Sequence, residues 1–199
     1  IIWLDLSRRR RSSRMQFMDR GEAQDCMVAW TSLPVGVVTL AERFGGRHVT
    51  HDVFEAMVAD VIGMVAPFEA EHAFARRVAG RNVHLLGTSG TVTTVAASHL
   101  GLRRYDRTKV DGLTMTSAQI DRVIRDYLAL GPDGRRADPR IGRERHALIM
   151  SGVAILQTLM RVWPTRRLSV ADRGLREGLL YAQMVKDGVL APDGMNGVA

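Results

Sequence analysis

The sequence predicts an α/β domain built on a mixed sheet. Three observations lead there. Short apolar runs of strand length stand at residues 1–6, 26–34, 82–86 and 167–170. The longer segments between them repeat apolar residues at helical spacing. The order along the chain is strand, strand, helices, strand, helices, strand, helix. Composition agrees: of 199 residues, 46% are hydrophobic and 25% charged, enough apolar chain to build a core. Disordered, collagen-like and mucin-like classes are excluded. Cys26 is the single cysteine, so no internal disulfide framework exists and a reducing compartment is predicted. No apolar stretch reaches the roughly 18 residues of a membrane span, and no signal peptide is visible.

The elements follow in order. Ile1 to Leu6 reads as a strand with no polar leader, as expected for a piece of a longer protein cut close to a strand. A long polar segment, Ser7 to Asp25, precedes the second strand, Cys26 to Pro34, and Met15 to Met18 within it extends the ladder. Val37 to Phe44 is a helix ended by Gly45-Gly46. Residues 50–78 form a long helix with Val53, Met57, Val58, Val61, Ile62 and Val65 on one face, kinked at Pro67. Asn82 to Leu86 is a buried strand, with His84 a core residue. A helix from Val92 to His99 comes next. Thr116 and Gln119 make a capping box for a helix to Leu130, ended by the turn Gly131-Pro132-Asp133-Gly134. Arg143 to Met160 is an amphipathic helix burying Leu148, Ile149, Leu156 and Leu159. Arg167 to Val170 is a strand, and Asp172 caps a last helix through Leu175, Leu179, Leu180 and Met184. The domain spans residues 1–185, and 186–199 is a loose tail.

Net charge is +7, and 26 of the 28 basic residues are arginine, whose planar fork suits phosphate as well as solvent. The run Arg8 to Arg11 reads as a solvated hairpin tip or as a polyanion contact. No aromatic residues interleave with it, which argues against single-stranded nucleic acid. The sharpest local feature is Gly87-Thr88-Ser89-Gly90-Thr91, between a strand and a helix. Glycines let the backbone approach an anion, a helix start presents free N–H groups, and three hydroxyls add donors. That is a recipe for a phosphate cradle, and equally for a tight capped turn. It is no Walker A loop, because no Gly-Lys-Ser/Thr follows. Arg145, opening an amphipathic segment, either reaches across a cleft to phosphate or lies on the surface. Glu42 is open between an ion pair and a site carboxylate. The six histidines form no zinc pattern, Cys26 has no activating flank, and no Gly-x-Ser-x-Gly elbow exists.

Several segments together resemble one family. They are Ser32 to Phe44 (Ser-Leu-Pro-Val-Gly-Val-Val-Thr-Leu-Ala-Glu-Arg-Phe), Leu86 to Thr94, Val110-Asp111-Gly112, Ile141 to Arg145 with Ser151-Gly152, and Asp172 to Gly178 (Asp-Arg-Gly-Leu-Arg-Glu-Gly). In that order they are similar to the exopolyphosphatase and guanosine-pentaphosphate phosphohydrolase (Ppx/GppA) family, over residues 1 to 185. The resemblance implies an actin-like ATPase fold of two ribonuclease-H-like lobes, this chain being the C-terminal lobe with extra C-terminal helices, incomplete at its N-terminal end. It implies a cytoplasmic magnesium-dependent hydrolase that removes terminal phosphate from polyphosphate or guanosine pentaphosphate. Gly87, Thr88, Ser89, Gly90 and Thr91 would form a phosphate loop, with Arg145 a substrate contact. The family's Asp-Ile-Gly-Gly-Gly-Ser loop has no counterpart here, since Asp5-Leu6-Ser7-Arg8 lacks the glycines. The catalytic carboxylate and metal ligands are therefore expected on the absent portion, and the chain alone is expected to be inactive. The competing readings are a nucleotide-binding lobe of an actin-like kinase or ATPase, and a basic polyanion-binding module. A homodimer is an open expectation; a membrane or nucleic-acid partner is not expected.

Overall fold

A computed structural model of the chain describes residues 1–8, 25–46, 48–79, 83–142 and 145–189. The chain divides into two compact units, residues 1–33 with 173–199, and residues 34–172.

In the first unit, β1 (Ile2–Leu4) pairs antiparallel with β2 (Met27–Trp30), Ile2 opposite Trp30, with a bulge between Trp3 and Leu4. Both strands are shorter than the sequence predicts. Beyond Leu4 the backbone turns, because the N–H and hydroxyl of Ser7 donate to the Asp5 carboxylate at 3.0 and 2.6 Å. Such an Asx turn competes with a ladder. Beyond Trp30, Pro34 has no N–H to offer a partner strand. The predicted extension at Met15 to Met18 lies outside the described residues, as do Arg9 to Arg11. Helix α8 (Leu175–Lys186) is capped by Gly174, whose N–H donates to the Glu177 carboxylate at 2.8 Å. Asp172 is therefore not its cap. Leu179 and Leu180 on this helix are exposed.

The second unit carries α1 (Val37–Arg43), α2 (His51–His72), α3 (Phe74–Val78), β3 (Leu85–Gly87), α4 (Gly90–His99), α5 (Arg107–Val110), β4 (Thr114–Thr116), α6 (Ser117–Ala137), α7 (Ile149–Val162) and β5 (Arg167–Val170). Its sheet has the order β3-β5-β4, β3 parallel and β4 antiparallel to the central β5. The predicted mixed sheet is present. The three-residue β4 was too short to register as a strand in the sequence. His84 is exposed and lies just before β3, its Nε2 2.6 Å from the Ser169 hydroxyl, so it is no core residue.

Helix α7 packs against α1, α2, α4 and α6. It is apolar and small on nearly every face, the pattern of a helix surrounded by others. It begins at Ile149, later than predicted, behind a turn over 145–148. Against it α2 buries Phe54, Met57, Val58, Val61, Val65 and Phe68, while the expected Val53 and Ile62 fall at the edges of that stripe. The Thr158 hydroxyl donates to the Val58 carbonyl at 3.2 Å, and Arg161 grips Glu55 through both terminal nitrogens. Helix α2 runs through Pro67 and breaks instead at Ala73, whose φ of 51° is left-handed. Glu69 supports the break. Its carboxylate accepts the Ala75 N–H at 2.9 Å and the Trp163 indole N–H at 2.6 Å. No helix among the described residues is long and apolar enough to cross a membrane.

The Thr116–Gln119 capping box forms as predicted. The first helical segment ends at Gly131 as predicted, but helix resumes directly after it. Gly131 takes φ 63°, and a second helical segment led by Pro132 continues to Ala137. Proline suits a first turn, which has no N–H bond to lose. From that segment the buried Arg135 donates to the Tyr127 carbonyl at 2.8 Å, satisfying an end group of the first segment.

Asp138, 9% exposed, accepts from the Arg140 side chain at 2.9 Å (Nε) and 2.5 Å (Nη2), and from its backbone N–H at 2.9 Å. The Arg140 guanidinium holds the Asp138 carboxyl below its ordinary value. A carboxyl so lowered stabilises the fold above its unfolded pKa of about 3.9, and that contribution is lost as pH falls through the folded value. Asp138→Asn is expected to lower the unfolding free energy by about 1–3 kcal/mol near neutral pH. The gap from the parent chain should narrow on acidification below about pH 4. Urea unfolding at several pH values checks this; a gap as large in acid as at neutrality contradicts it.

Candidate anion-binding site

The candidate site starts where β3 ends. The Ala171 N–H donates to the Gly87 carbonyl at 2.9 Å, which ties the strand end to the segment leaving β5. A side chain at Gly87 would place Cβ 2.8 Å from Val92 Cγ2, so the turn into α4 needs glycine there. Thr88, Ser89 and Gly90 are exposed. Ser89 is the helix cap, its hydroxyl oxygen accepting the Val92 N–H at 3.3 Å. The helix thus opens at Gly90, two residues earlier than predicted. Among the described residues, the N–H groups of Ser89, Gly90 and Thr91 donate to no protein acceptor. They are the orphan donors of a helix start, and the macrodipole adds partial positive charge there.

Arg145 lies against this turn. Its Nη1 donates to the Gly90 carbonyl at 2.7 Å and to the Thr94 hydroxyl at 2.7 Å. A Cβ on Gly90 would lie 3.2 Å from Nη1 and 3.3 Å from Cζ and Nη2, so the guanidinium rests on the Gly90 α-carbon. The Gly90 carbonyl also accepts the hydroxyls of Thr93 at 3.1 Å and Thr94 at 2.8 Å. Thr91 faces another way. Its hydroxyl sits over Gly152 of α7, where an added Cβ would come within 2.2 Å of it. Only its N–H is offered to a ligand.

Sequence reasoning singled out residues 87–91 and Arg145, and the structure brings all six together. It did not find the hydroxyl of Thr94 or the small surface of Gly152. The one available signal for Thr94 was its position one helical turn beyond Gly90. Glu42 lines an open groove of about 380 Å³ with Val38, Ala41, Gly45, Gly46, Ala147 and Leu148. Asp172 is held within its own unit. Its N–H donates to the Asp111 carboxylate at 2.9 Å, and Arg107 donates to its carbonyl at 2.6 Å and pairs with its carboxylate at 3.3 Å. Partial burial, then the hydrogen bond to Asp172, push the nearby Tyr105 phenol up to about 12, so it stays protonated at neutral pH. Among the described residues no three His, Cys, Asp or Glu side chains are grouped to hold a metal ion.

A family model described as the Ppx/GppA phosphatase family matches residues 22–187. No curated protein sequence matches significantly. Three solved structures are similar. The PPX-GPPA enzyme of Aquifex aeolicus is 26% identical over 77% of this chain and 49% of its own, with a TM-score of 0.62. An exopolyphosphatase from Cytophaga hutchinsonii is 19% identical over 81% of this chain and 51% of its own, with a TM-score of 0.66. An exopolyphosphatase-like protein is 24% identical over 83% and 54%, with a TM-score of 0.69. The chain spans about half the length of each.

The contact between Thr91 and Gly152 gives a direct test of the site's packing. Gly152→Ala should destabilise the chain by about 1–3 kcal/mol through overpacking. Thr91→Ala in the same chain, by removing the hydroxyl and methyl that the new Cβ meets, should recover part of that loss. Thermal melts of the single and double variants measure both effects. An alanine at 152 that melts like glycine would show that the helices do not meet this closely.

Proposed function

Because the chain belongs to the Ppx/GppA phosphatase family, we propose that the loop 87–91 and Arg145 hold the phosphates of inorganic polyphosphate or guanosine pentaphosphate during hydrolysis of a terminal phosphoanhydride bond. The observation that carries this reading is the placement of the Arg145 guanidinium on Gly90, beside three unsatisfied N–H groups. A cation at the positive end of a helix is electrostatically incomplete until an anion joins it. Phosphoryl transfer to water depends on positioning and charge neutralisation rather than on a protein nucleophile. In this reading the amides of Ser89, Gly90 and Thr91 and the hydroxyls of Thr88 and Ser89 hold phosphate oxygens. Arg145 offsets their charge as it shifts toward the leaving group.

Family membership also implies a divalent cation, and magnesium is the cation we propose. Magnesium takes oxygen ligands, preferentially carboxylate, phosphate and water. The loop presents N–H groups, hydroxyls and a guanidinium, which suit the anion and not the cation. No step is therefore assigned to a metal on these residues. The loop belongs in this reading to a ribonuclease-H-like, phosphate-binding lobe spanning residues 1–185. Alone, the 199-residue chain is expected to release phosphate slowly or not at all.

Calorimetric titration of the chain with tripolyphosphate should give saturable binding. Gly90→Val, which drives a side chain into the guanidinium, and Arg145→Gln should each weaken it by about tenfold or more. ATP should compete less well than tripolyphosphate, and RNA should not be retained by these residues selectively. Absence of tripolyphosphate binding, or binding indifferent to Gly90→Val, would falsify the proposal. Preference for ATP would point to the kinase-like reading instead.

A further inference from the structure

We propose that Thr94 is a positioning residue that fixes the orientation of Arg145 and so selects which edge of the guanidinium meets the ligand. The inference rests on the reading of residues 87–91 and Arg145 as a phosphate site. Thr94 is 3% exposed and lies one turn into α4. Its hydroxyl donates to the Gly90 carbonyl at 2.8 Å and accepts from Arg145 Nη1 at 2.7 Å. Nη1 closes the triangle by donating to the same carbonyl at 2.7 Å. The proton assignment is forced. A guanidinium has no lone pair to offer, so Nη1 donates twice and the single hydroxyl proton goes to the carbonyl.

Two acceptors on one nitrogen fix the plane of the guanidinium, where one would leave it free to pivot. With Nη1 occupied, the edge formed by Nε and Nη2 remains. Among the described residues neither nitrogen has an acceptor. That edge is a two-pronged donor matched to two oxygens of one phosphate. A second effect runs through the peptide between Gly90 and Thr91. Its carbonyl accepts Thr93, Thr94 and Arg145 together. Donors crowded on a carbonyl polarise the peptide and make the Thr91 N–H on its other side a stronger donor. Thr94 thus acts on two phosphate-facing groups without touching the ligand. An ordinary helical threonine that only bonds back to the carbonyl four residues earlier would share the second effect but not the first, which needs the contact with Arg145.

A double-mutant cycle on the 199-residue chain separates these cases, with tripolyphosphate as the probe in calorimetric titration. Thr94→Val keeps the shape and removes the hydroxyl, and should weaken binding about tenfold. Thr94→Ser should restore it to within about twofold. In an Arg145→Gln background, Thr94→Val should change binding by less than about twofold, because only the smaller effect through the Thr91 N–H is left. In ¹⁵N spectra the Arg145 Nε–H resonance should shift and broaden in the valine variant alone. If the valine variant melts early, Thr94→Ala replaces it in the same cycle. Unchanged binding by Thr94→Val overturns the proposal, and so does an equal loss with and without Arg145. Wild-type chain that binds no tripolyphosphate would remove the phosphate reading itself, whereas wild-type binding with an unaffected valine variant removes only the role of Thr94.

Discussion

The first turn of α4 rests on the backbone of α7 through the Thr91 side chain, which lies directly on Gly152. Thr91 sits where a Cβ of residue 152 would be, 2.2 Å from its hydroxyl. The direction in which α4 presents its free N–H groups is therefore set by α7. That helix is in turn held from the far side by α2, through Thr158 on the Val58 carbonyl, Arg161 on Glu55 and Trp163 on Glu69. Close-packed interiors transmit a displacement rather than absorb it. A change of one methyl group at Gly152 acts on the loop even though nothing there touches a ligand. The small residues at the start of α7 thus belong to the site's geometry as much as the loop glycines do.

Charge follows from the same contact. The N-terminal end of α4 carries roughly half a positive charge, and Arg145 adds a whole one against it. Two like charges in contact are unfavourable unless something offsets them. The hydrogen bonds to the Gly90 carbonyl and Thr94 do so in part, because both acceptors lie on the first turn itself. Among the described residues, three N–H groups and the Nε–Nη2 edge of the guanidinium remain without an acceptor. An oxyanion bearing several negative charges meets all of these needs at once. A neutral acceptor satisfies N–H groups but leaves the positive charge unmatched. In the proposed reading the arrangement selects for charge before it selects for shape, in keeping with a family of phosphatases.

Most of this was legible in the sequence because it is local. Gly87-Thr88-Ser89-Gly90-Thr91 between an apolar strand and a helix states its own geometry, and Thr116 with Gln119 states a helix start. What the sequence did not disclose depends on residues far apart in the chain. Gly152 has meaning only once α7 lies on Thr91, sixty-one positions earlier. Thr94 looked like one polar residue in a helix until Arg145 was placed beside it. Gly131 ends a helical segment as glycine before proline suggests, but the second segment to Ala137 was not legible, because it is secured by Arg135 reaching back to Tyr127. His84 carried an apolar context in sequence, yet it stands exposed just before β3. Asp172 looked like a cap by residue type, but Arg107 and Asp111 had already claimed its polar groups.

The loop is held at both ends before any ligand arrives. At the strand end, Gly87 is tied to Ala171 beyond β5. That same stretch of β5 is fixed on its other side, where the Gly112 N–H donates to the Val170 carbonyl at 2.8 Å and the Val170 N–H to the Leu113 carbonyl at 2.8 Å. At the helix end, Thr91 is lodged on Gly152 and Gly90 lies under Arg145. Between these anchors run only Thr88 and Ser89, and Ser89 is committed as the cap. So short a span between fixed ends has little conformational freedom left to lose on binding. Amide dipoles already aimed at one place contribute most where charge is moving during reaction, because they need not reorient at that moment. In the proposed reading, the rigidity of the second unit's interior is what would turn an ordinary glycine-rich turn into a site able to follow the charge on a phosphate chain.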